Sequence, residues 1–161
     1  MTSVAPEEGT RPATEDDVAR LAELADAAVE ELRQGKGGEV WARHRGRRAP
    51  FEPQLTAQIG DAAHHVLVGT VDDVIMGYGV ASVEVLADGG RLGIVTDLYT
   101  DAGARELGIG EAMMEALVEW CRDQGCFGVD SLALPGDRHT KNFFESFGLV
   151  ARAIVVHRSL R

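Results

Sequence analysis

Residues 105–117 read RELGIGEAMMEAL, directly after VTDLYTDAGA at 95–104. Two glycines, Gly108 and Gly110, stand where a helical pattern begins. Beyond them Ile109, Met113, Ala116, Leu117, Trp120 and Cys121 form one apolar stripe, with Glu111, Glu115 and Glu119 on the opposite side. This spacing predicts an amphipathic helix over about 108–124, and a helix lying on a sheet needs such a stripe whatever its function. The glycines ask for a further reason. Bare backbone lets a ligand come close, and the first-turn N–H groups of a helix have no partner inside it. With the positive end of the helix dipole, those donors suit a phosphate group. A glycine turn serving tight packing alone is the competing reading.

Three nucleotide-binding patterns compete for this turn. A Walker loop needs Gly-Lys-Ser/Thr, but Gly110 is followed by Glu111 and Ala112, which excludes it. A dinucleotide fingerprint needs a third glycine where Met113 stands, and an acid ending the next strand, whereas Asp130 falls mid-strand. The third pattern is a pyrophosphate loop, Gln/Arg-x-x-Gly-x-Gly/Ala, late in the chain after a long strand. Arg105, Gly108 and Gly110 fit it position by position.

Outward from the loop, the flanking patterns alternate. Upstream, HVLVGTV (65–71), VIMGYGVASVEVL (74–86) and RLGIVTDLYT (91–100) are β-rich. The links between them, Asp72-Asp73 and ADGG, are short, so neighbouring strands should be antiparallel. Before these, TRPATEDDVARLAELADAAVEEL predicts a short extended piece and a helix. Thr14 is its cap, Asp17 approximates a capping box, and Val18, Leu21, Leu24, Ala25 and Ala28 follow helical spacing. The glycine- and arginine-rich part, 35–50, breaks the pattern, and FEPQLTAQIGD suggests a second short helix. Downstream, FGVDSLAL (127–134) reads as strand, 137–147 as helix and VARAIVVHRSL as a last strand. The result is a single mixed α/β domain over 10–161, with 1–9 a loose acidic tail.

Composition narrows the setting. The chain has 161 residues, 45% hydrophobic and 26% charged, ordinary for one globular domain. No apolar run approaches a membrane span and the N-terminus has no secretory pattern, so a cytoplasmic protein without membrane association is expected. Cys121 and Cys126 match no metal or redox spacing, and no metal is expected. A net charge of −10 argues against nucleic acid as a partner. The charge is uneven: Arg33 to Arg48 holds six basic residues and one acid, leaving that segment at +5 and the remainder at −15. A solvated loop or an anion-contacting flap would each explain it.

With these pieces in order, the segment DLYTDAGARELGIGEAMMEALVEWCRDQG resembles the acyl-CoA-binding segment of the GNAT N-acetyltransferase superfamily. Its members often read Leu-Tyr-Val, a short loop, then Arg-Gly-x-Gly-Ile-Gly. RPATEDD is similar to that family's first strand and helix start, and NFFESFGLVARAIVVH to its closing helix and last strand, so the likeness spans about 10–160. It implies a mainly antiparallel sheet with splayed central strands flanked by helices, and acetyl-CoA as co-substrate. The exposed backbone from Leu98 through Tyr99 to Thr100 would pair with the pantetheine arm like an added strand. Arg105 and the amides of Glu106, Leu107, Gly108, Ile109, Gly110 and Glu111 would hold the pyrophosphate. Glu106 and Leu107 replace the commoner glycine and arginine, so weaker binding than usual is expected.

The chemistry this implies is transfer of an acetyl group from thioester to primary amine, of a small molecule or a protein, by direct attack in a ternary complex. A backbone N–H near Leu98 would polarise the carbonyl, and a base would take the amine proton. Asp97 is the candidate base, with Tyr99 and His157 as rivals; His64, His65 and His139 read as surface or loop residues. The usual general-acid tyrosine of the closing helix falls on Phe144, which has no proton to give. Asp137 is the expected cap of that helix; Arg138 and Lys141 near its start either meet the CoA 3′-phosphate or, as the favoured reading, are ordinary surface charges. If the arginine-rich segment covers the acceptor site, an anionic amine or acidic peptide is favoured; if it points away, a cationic amine. A CoA-binding regulatory module without catalysis, and an interaction domain without nucleotide, are the alternatives. The open edge left by splayed strands is compatible with a homodimer.

Overall fold

The computed structural model describes residues 3–161. Its core is a five-stranded sheet in the order β1-β2-β3-β4-β5, formed by β1 (Glu8–Pro12), β2 (His64–Val71), β3 (Val74–Val85), β4 (Arg91–Thr100) and β5 (Gly128–Asp130). The first four are antiparallel and only β5 runs parallel to its neighbour. Asp72 and Asp73 turn between β2 and β3 with φ of 48° and 64°, the left-handed backbone of a two-residue hairpin, as the short link implied.

Alternation along the strands divides the core in two. On one face Val66, Val68, Tyr78 and Val80 meet α1 (Val18–Arg33) and α3 (Phe51–Ile59), through Leu21, Leu24, Ala25 and Leu55. On the other, Leu67, Ala81 and Val95 meet α4 (Ile109–Asp123), whose Met113, Met114, Leu117 and Cys121 are fully buried. Gly79 lets α4 come this close, since a Cβ there would stand 2.9 Å from the Leu117 side chain. Burying a Leu or Met side chain contributes roughly 1.5–3 kcal/mol, so the α4 stripe anchors the helix and its N-terminal turn.

The first helix begins as the sequence implied. Thr14 precedes a single 3-10 turn, Glu15–Asp17, and the Asp17 carboxylate accepts from the Thr14 amide at 2.8 Å. It also accepts from both terminal nitrogens of Arg11, which ties β1 to α1. The segment 35–50 was expected to be irregular but contains α2 (Gly38–His44), which a glycine-rich sequence gives little reason to foresee. At the N-terminus, residues 1–2 of the expected tail lie outside the described residues. Residues 3–8 are exposed, and β1 takes up Glu8 and Gly9.

Two expectations at the C-terminal end need correction. The strand expected over 127–134 is only Gly128–Asp130, because β5 leaves its neighbour after three register pairs. The closing helix α5 (Arg138–Ser146) forms, but residues 149–161 carry no regular structure and 150–161 are exposed. The expected last strand is therefore not part of this chain's own sheet.

Candidate active site

The site is created by where β4 stops pairing. Its outer side matches β5 only through Leu92, Gly93 and Ile94. Its inner side follows β3 to Thr100, with one irregularity opposite Val80 and Ala81 that leaves Thr96 without a register partner. An extra residue of this kind bends a strand and re-aims the side chains beyond it. Val95 and Leu98 face α4, whereas Asp97 and Tyr99 face α1–α3. One inserted residue thus splays the sheet and turns Asp97 to the opposite face from Val95.

Along the splay, beyond Ile94, the outer backbone of β4 pairs with no neighbouring strand. The Asp101 amide donates inward to Met76 at 2.7 Å, and the Thr100 carbonyl accepts from outside, from Arg105 Nε at 3.1 Å. By the alternation of an antiparallel ladder, Leu98 and Thr100 then direct their peptide groups outward. The Ser131 hydroxyl caps the Val95 carbonyl at 3.1 Å, across the start of the gap.

Beyond Thr100, Asp101 caps a short 3-10 turn, Ala102–Ala104, and the chain reaches α4 through residues 105–108. Gly108 has φ of 80°, left-handed backbone that only glycine adopts without strain. Ala112 is the first helix residue to donate backwards, to Gly108 at 3.2 Å. The amides of Gly108, Ile109, Gly110 and Glu111 find no acceptor among the described residues, as expected for a helix's first turn. The Ile109 side chain is fully buried, so it anchors the turn and offers only its amide. At Gly110 an added Cβ would make only ordinary contacts, 3.6 Å to Thr100 Oγ1 and 3.8 Å to Phe143. Packing therefore explains the glycine at 108 by conformation but not the one at 110.

The other predicted site residues gather near by, with unexpected partners. Arg105 lies 5.4 Å from the Tyr99 ring centre and donates to Glu31 of α1 at 2.5 Å, so it bridges loop and helix. Glu106 and Glu111 are exposed, and the Leu107 amide is already used by Ala104. The Glu8 carboxylate lies against Gly108, close enough that a Cβ there would be 2.8 Å from its oxygen. Burial, with the Glu31 charge, pushes the Tyr99 phenol above its usual range.

Asp97 sits in a polar cluster that the sequence did not announce. Arg47 donates to both of its oxygens, at 3.0 and 2.8 Å, Tyr78 donates at 2.8 Å and Thr96 at 2.8 Å. Arg47 and Asp97 side chains are 7% and 11% exposed. Burial works to raise the Asp97 pKa, but the Arg47 hydrogen bonds and charge, with Thr96 and Tyr78, outweigh it and hold the carboxyl below the usual range. Tyr78 is pushed well above its range by burial and by the Asp97 charge. Arg47 and Asp97 are fifty positions apart, so only the cluster of arginines hinted at the pair. The basic segment is thus divided: Arg47 turns inward, while Arg43, Arg45 and Arg48 face solvent.

A cleft of about 390 Å³ is lined by Glu31, the partner of Arg105, and by Lys36, Leu134, Pro135 and Asp137 among others. It lies between the C-terminal end of α1 and the loop leading to α5. The Asp137 carboxylate caps α5, accepting from the Thr140 amide at 3.0 Å. Phe144 packs edge-on against Phe143 in the cluster under α4, a packing role. His157 lies in the exposed C-terminal segment, His139 is exposed, His64 pairs with Asp61, and His65 stacks on Trp120. Among the described residues no group of three or more His, Cys, Asp or Glu is arranged to hold a metal, and no helix is long and apolar enough to cross a membrane.

An open strand that leads into a helix N-terminus with free first-turn amides is the arrangement expected of an acyl-CoA-dependent acetyltransferase. The model of the acetyltransferase (GNAT) family matches residues 26–149. The chain belongs to that family, whose members use acetyl-CoA as co-substrate. It is 40% identical over 88 residues to glucosamine 6-phosphate N-acetyltransferase 1 of Oryza sativa subsp. japonica, a match that covers 51% of this chain and 50% of that protein. Among solved structures it resembles a tetramutant of the BH1408 protein of Bacillus halodurans (TM-score 0.78, 21% identity, 94% and 99% of the two chains covered). It also resembles glucosamine-6-phosphate N-acetyltransferase of Arabidopsis thaliana (TM-score 0.68, 17% identity, 96% and 99% covered). These likenesses to solved structures speak for the fold.

Proposed function

We propose that the protein transfers the acetyl group of acetyl-CoA to the primary amine of a small molecule, by direct attack within a ternary complex. The observation that carries this reading is the continuity of two donor sets: the outward peptide groups of Leu98 and Thr100 run into the free amides from Gly108 to Glu111. The first set suits the amide-bearing pantetheine arm, as an added strand, and the second its diphosphate. Acetyl-CoA supplies the activated acetyl group when bound. The Leu98 N–H is the donor for the thioester carbonyl as negative charge builds on it. The neutral amine forms the new C–N bond as the C–S bond breaks, the thiolate leaves, and the amine proton passes to water in the cleft.

This reading gives Asp97 a positioning role rather than that of a base. Its carboxylate is engaged by four hydrogen bonds, and its lowered pKa makes it a weak proton acceptor. Tyr99, with its raised pKa, remains protonated at neutral pH and lines the site as a donor. Phe144 offers no acid, and a thiol of pKa about 8.5 leaves as a tolerable anion near neutrality. The acceptor reading follows the rice relative's printed substrate: an amino sugar, glucosamine 6-phosphate, is the first compound to try. Exposed Arg43, Arg45 and Arg48 provide positive charge for an anionic acceptor.

The test is thiol release from acetyl-CoA with a panel of glucosamine 6-phosphate, glucosamine, an aminoglycoside, spermidine and a lysine peptide. Turnover with one or more amino sugars is expected. Acetyl-CoA binding by calorimetry without turnover across the panel would instead favour a regulatory CoA-binding module.

A further inference from the structure

Arg47 hides its side chain, 7% exposed, whereas Arg43, Arg45 and Arg48 of the same segment face solvent. It sits on the link between α2 and α3 and reaches across to β4, fifty positions further on. A buried ion pair is often no more stabilising than apolar residues of similar volume, so stability alone does not account for it. The best-attested use of such a pair is to select one register where several would fit.

Two registers are open to β4. In the one observed, Val80 opposes Asp97, Ala81 opposes Val95, and Thr96 opposes nothing. Without that extra residue Thr96 would oppose Val80, and every residue from Asp97 to Thr100 would exchange faces. Leu98 would then turn its peptide group inward to β3, closing the edge that faces the gap. Apolar packing does not forbid this. A leucine finds cover on either face, from Val68 and Val80 on one and from Met113 and Leu117 on the other. Asp97 does forbid it. In the observed register its carboxylate accepts from two Arg47 nitrogens, at 3.0 and 2.8 Å, and from the Tyr78 hydroxyl at 2.8 Å. The Thr96 hydroxyl lies 2.8 Å from that carboxylate and 3.4 Å from the Val80 carbonyl. In the other register the carboxylate would meet the Met113 and Leu117 layer with no guanidinium to receive it.

We infer that Arg47 is a positioning residue for acetyl transfer: acting through Asp97, it locks the register of β4 and so keeps the Leu98 N–H turned out to the gap. The consequence for turnover rests on the acetyl-transfer reading, whereas the register itself is read in the free protein. The conserved charge of the segment thus has two uses, with the exposed arginines left for solvent or ligand and the buried one for the strand.

The test makes both partners apolar at once, Arg47→Met with Asp97→Leu. Positions 97 and 98 then carry the same side chain, and the two registers become nearly equivalent. The double variant should fold and melt no lower than the natural chain. In NMR the Val80 backbone should show cross-strand contacts to residue 97 alone in the natural chain. In the double variant they should reach both 96 and 97, with doubled amide peaks over 96–100. Turnover with any acceptor of the panel should fall about 100-fold in kcat, the scale of a misplaced reacting group, with its pH profile unchanged. Arg47→Lys keeps the charge but not the fork, and should give single peaks and recover part of kcat. A folded double variant with only the natural contacts overturns the inference, whatever its turnover. One with both registers and the natural kcat does so too, since register would not then bear on the reaction. An unfolded double variant also overturns it, because the pair would then serve stability. A natural chain without turnover removes the acetyl-transfer reading instead, and the amide peaks still decide whether Arg47 sets the register.

Discussion

At the scale of single residues, the two loop glycines separate conformation from ligand. Gly108 holds φ of 80° with the Glu8 carboxylate against it. Gly108→Ala is expected to lower stability by about 1–2 kcal/mol, the cost of a left-handed L-residue, read as a lower melting temperature without ligand. Gly110→Ala should fold as well as the natural chain or better, since a first-turn Cβ meets only ordinary contacts. Gly110→Asp, by contrast, should retain the fold and lose acetyl-CoA binding in calorimetry, because it puts a carboxylate where the diphosphate is proposed to lie. Normal binding by Gly110→Asp would remove the site assignment. Asp97 admits an equally direct test. Removing one partner of a buried pair leaves an uncompensated charge, so Arg47→Met should destabilise by about 3–5 kcal/mol. If Asp97 positions rather than accepts protons, Tyr78→Phe should share part of the kcat loss of Asp97→Asn, and the acidic limb of the pH–rate profile should stay where it is. An acidic limb that vanishes only in Asp97→Asn would restore it as the base.

At the scale of elements, what was legible depends on how local the cause is. The α4 stripe, the Thr14–Asp17 start of α1 and the antiparallel order of β2, β3 and β4 are set by residues a few positions apart, and the sequence showed them. The α2 helix was not legible, since Gly37 and Gly38 lower local propensity and its Trp41 and Ala42 are fixed by tertiary packing. Nor was the unpaired Thr96, which turns Asp97 toward Arg47, because a register shift depends on the partner strand. The Arg105–Glu31 bridge spans 74 positions and left no local trace. The Arg11–Asp17 contact illustrates the electrostatic side. Arg11 hydrogen bonds, against the opposing effect of burial and aided by Thr14, hold the Asp17 carboxyl at about 2. A depressed folded-state pKa gives stability that is complete above the unfolded value near 4 and disappears as pH falls through about 2. With Arg11 46% exposed, this is worth on the order of 1 kcal/mol after screening. Arg11→Met should therefore move the acid-unfolding midpoint to higher pH and leave stability between pH 8 and 9 altered only by that increment.

At the scale of the whole molecule, the splay makes ligand and fold one thermodynamic problem. The sheet is continuous from β1 to β4, but beyond Ile94 the β5 side is joined to it by little more than the Ser131 bond and the shared packing of α4 and α5. A ligand that pairs with Leu98 and Thr100 and ends on the α4 amides ties together segments that otherwise open independently. Binding to the folded state alone at a hundred times the dissociation constant adds about 2.7 kcal/mol. For a chain of this length that corresponds to a rise in melting temperature of roughly 5–10 °C. The rise should come with slower hydrogen exchange confined to about 98–111 and 131–137, the two lips of the gap, whereas the buried α1–α3 side should change little. Desulfo-CoA should reproduce most of the rise, since it keeps both the pantetheine amides and the diphosphate, and adenosine alone should not. An unchanged melting temperature in excess acetyl-CoA would leave the chain with the family's fold and without its ligand. Protection centred instead on the exposed side of α4 around Glu115, Glu119 and Arg122 would place the coenzyme away from the open strand that the proposed transfer requires.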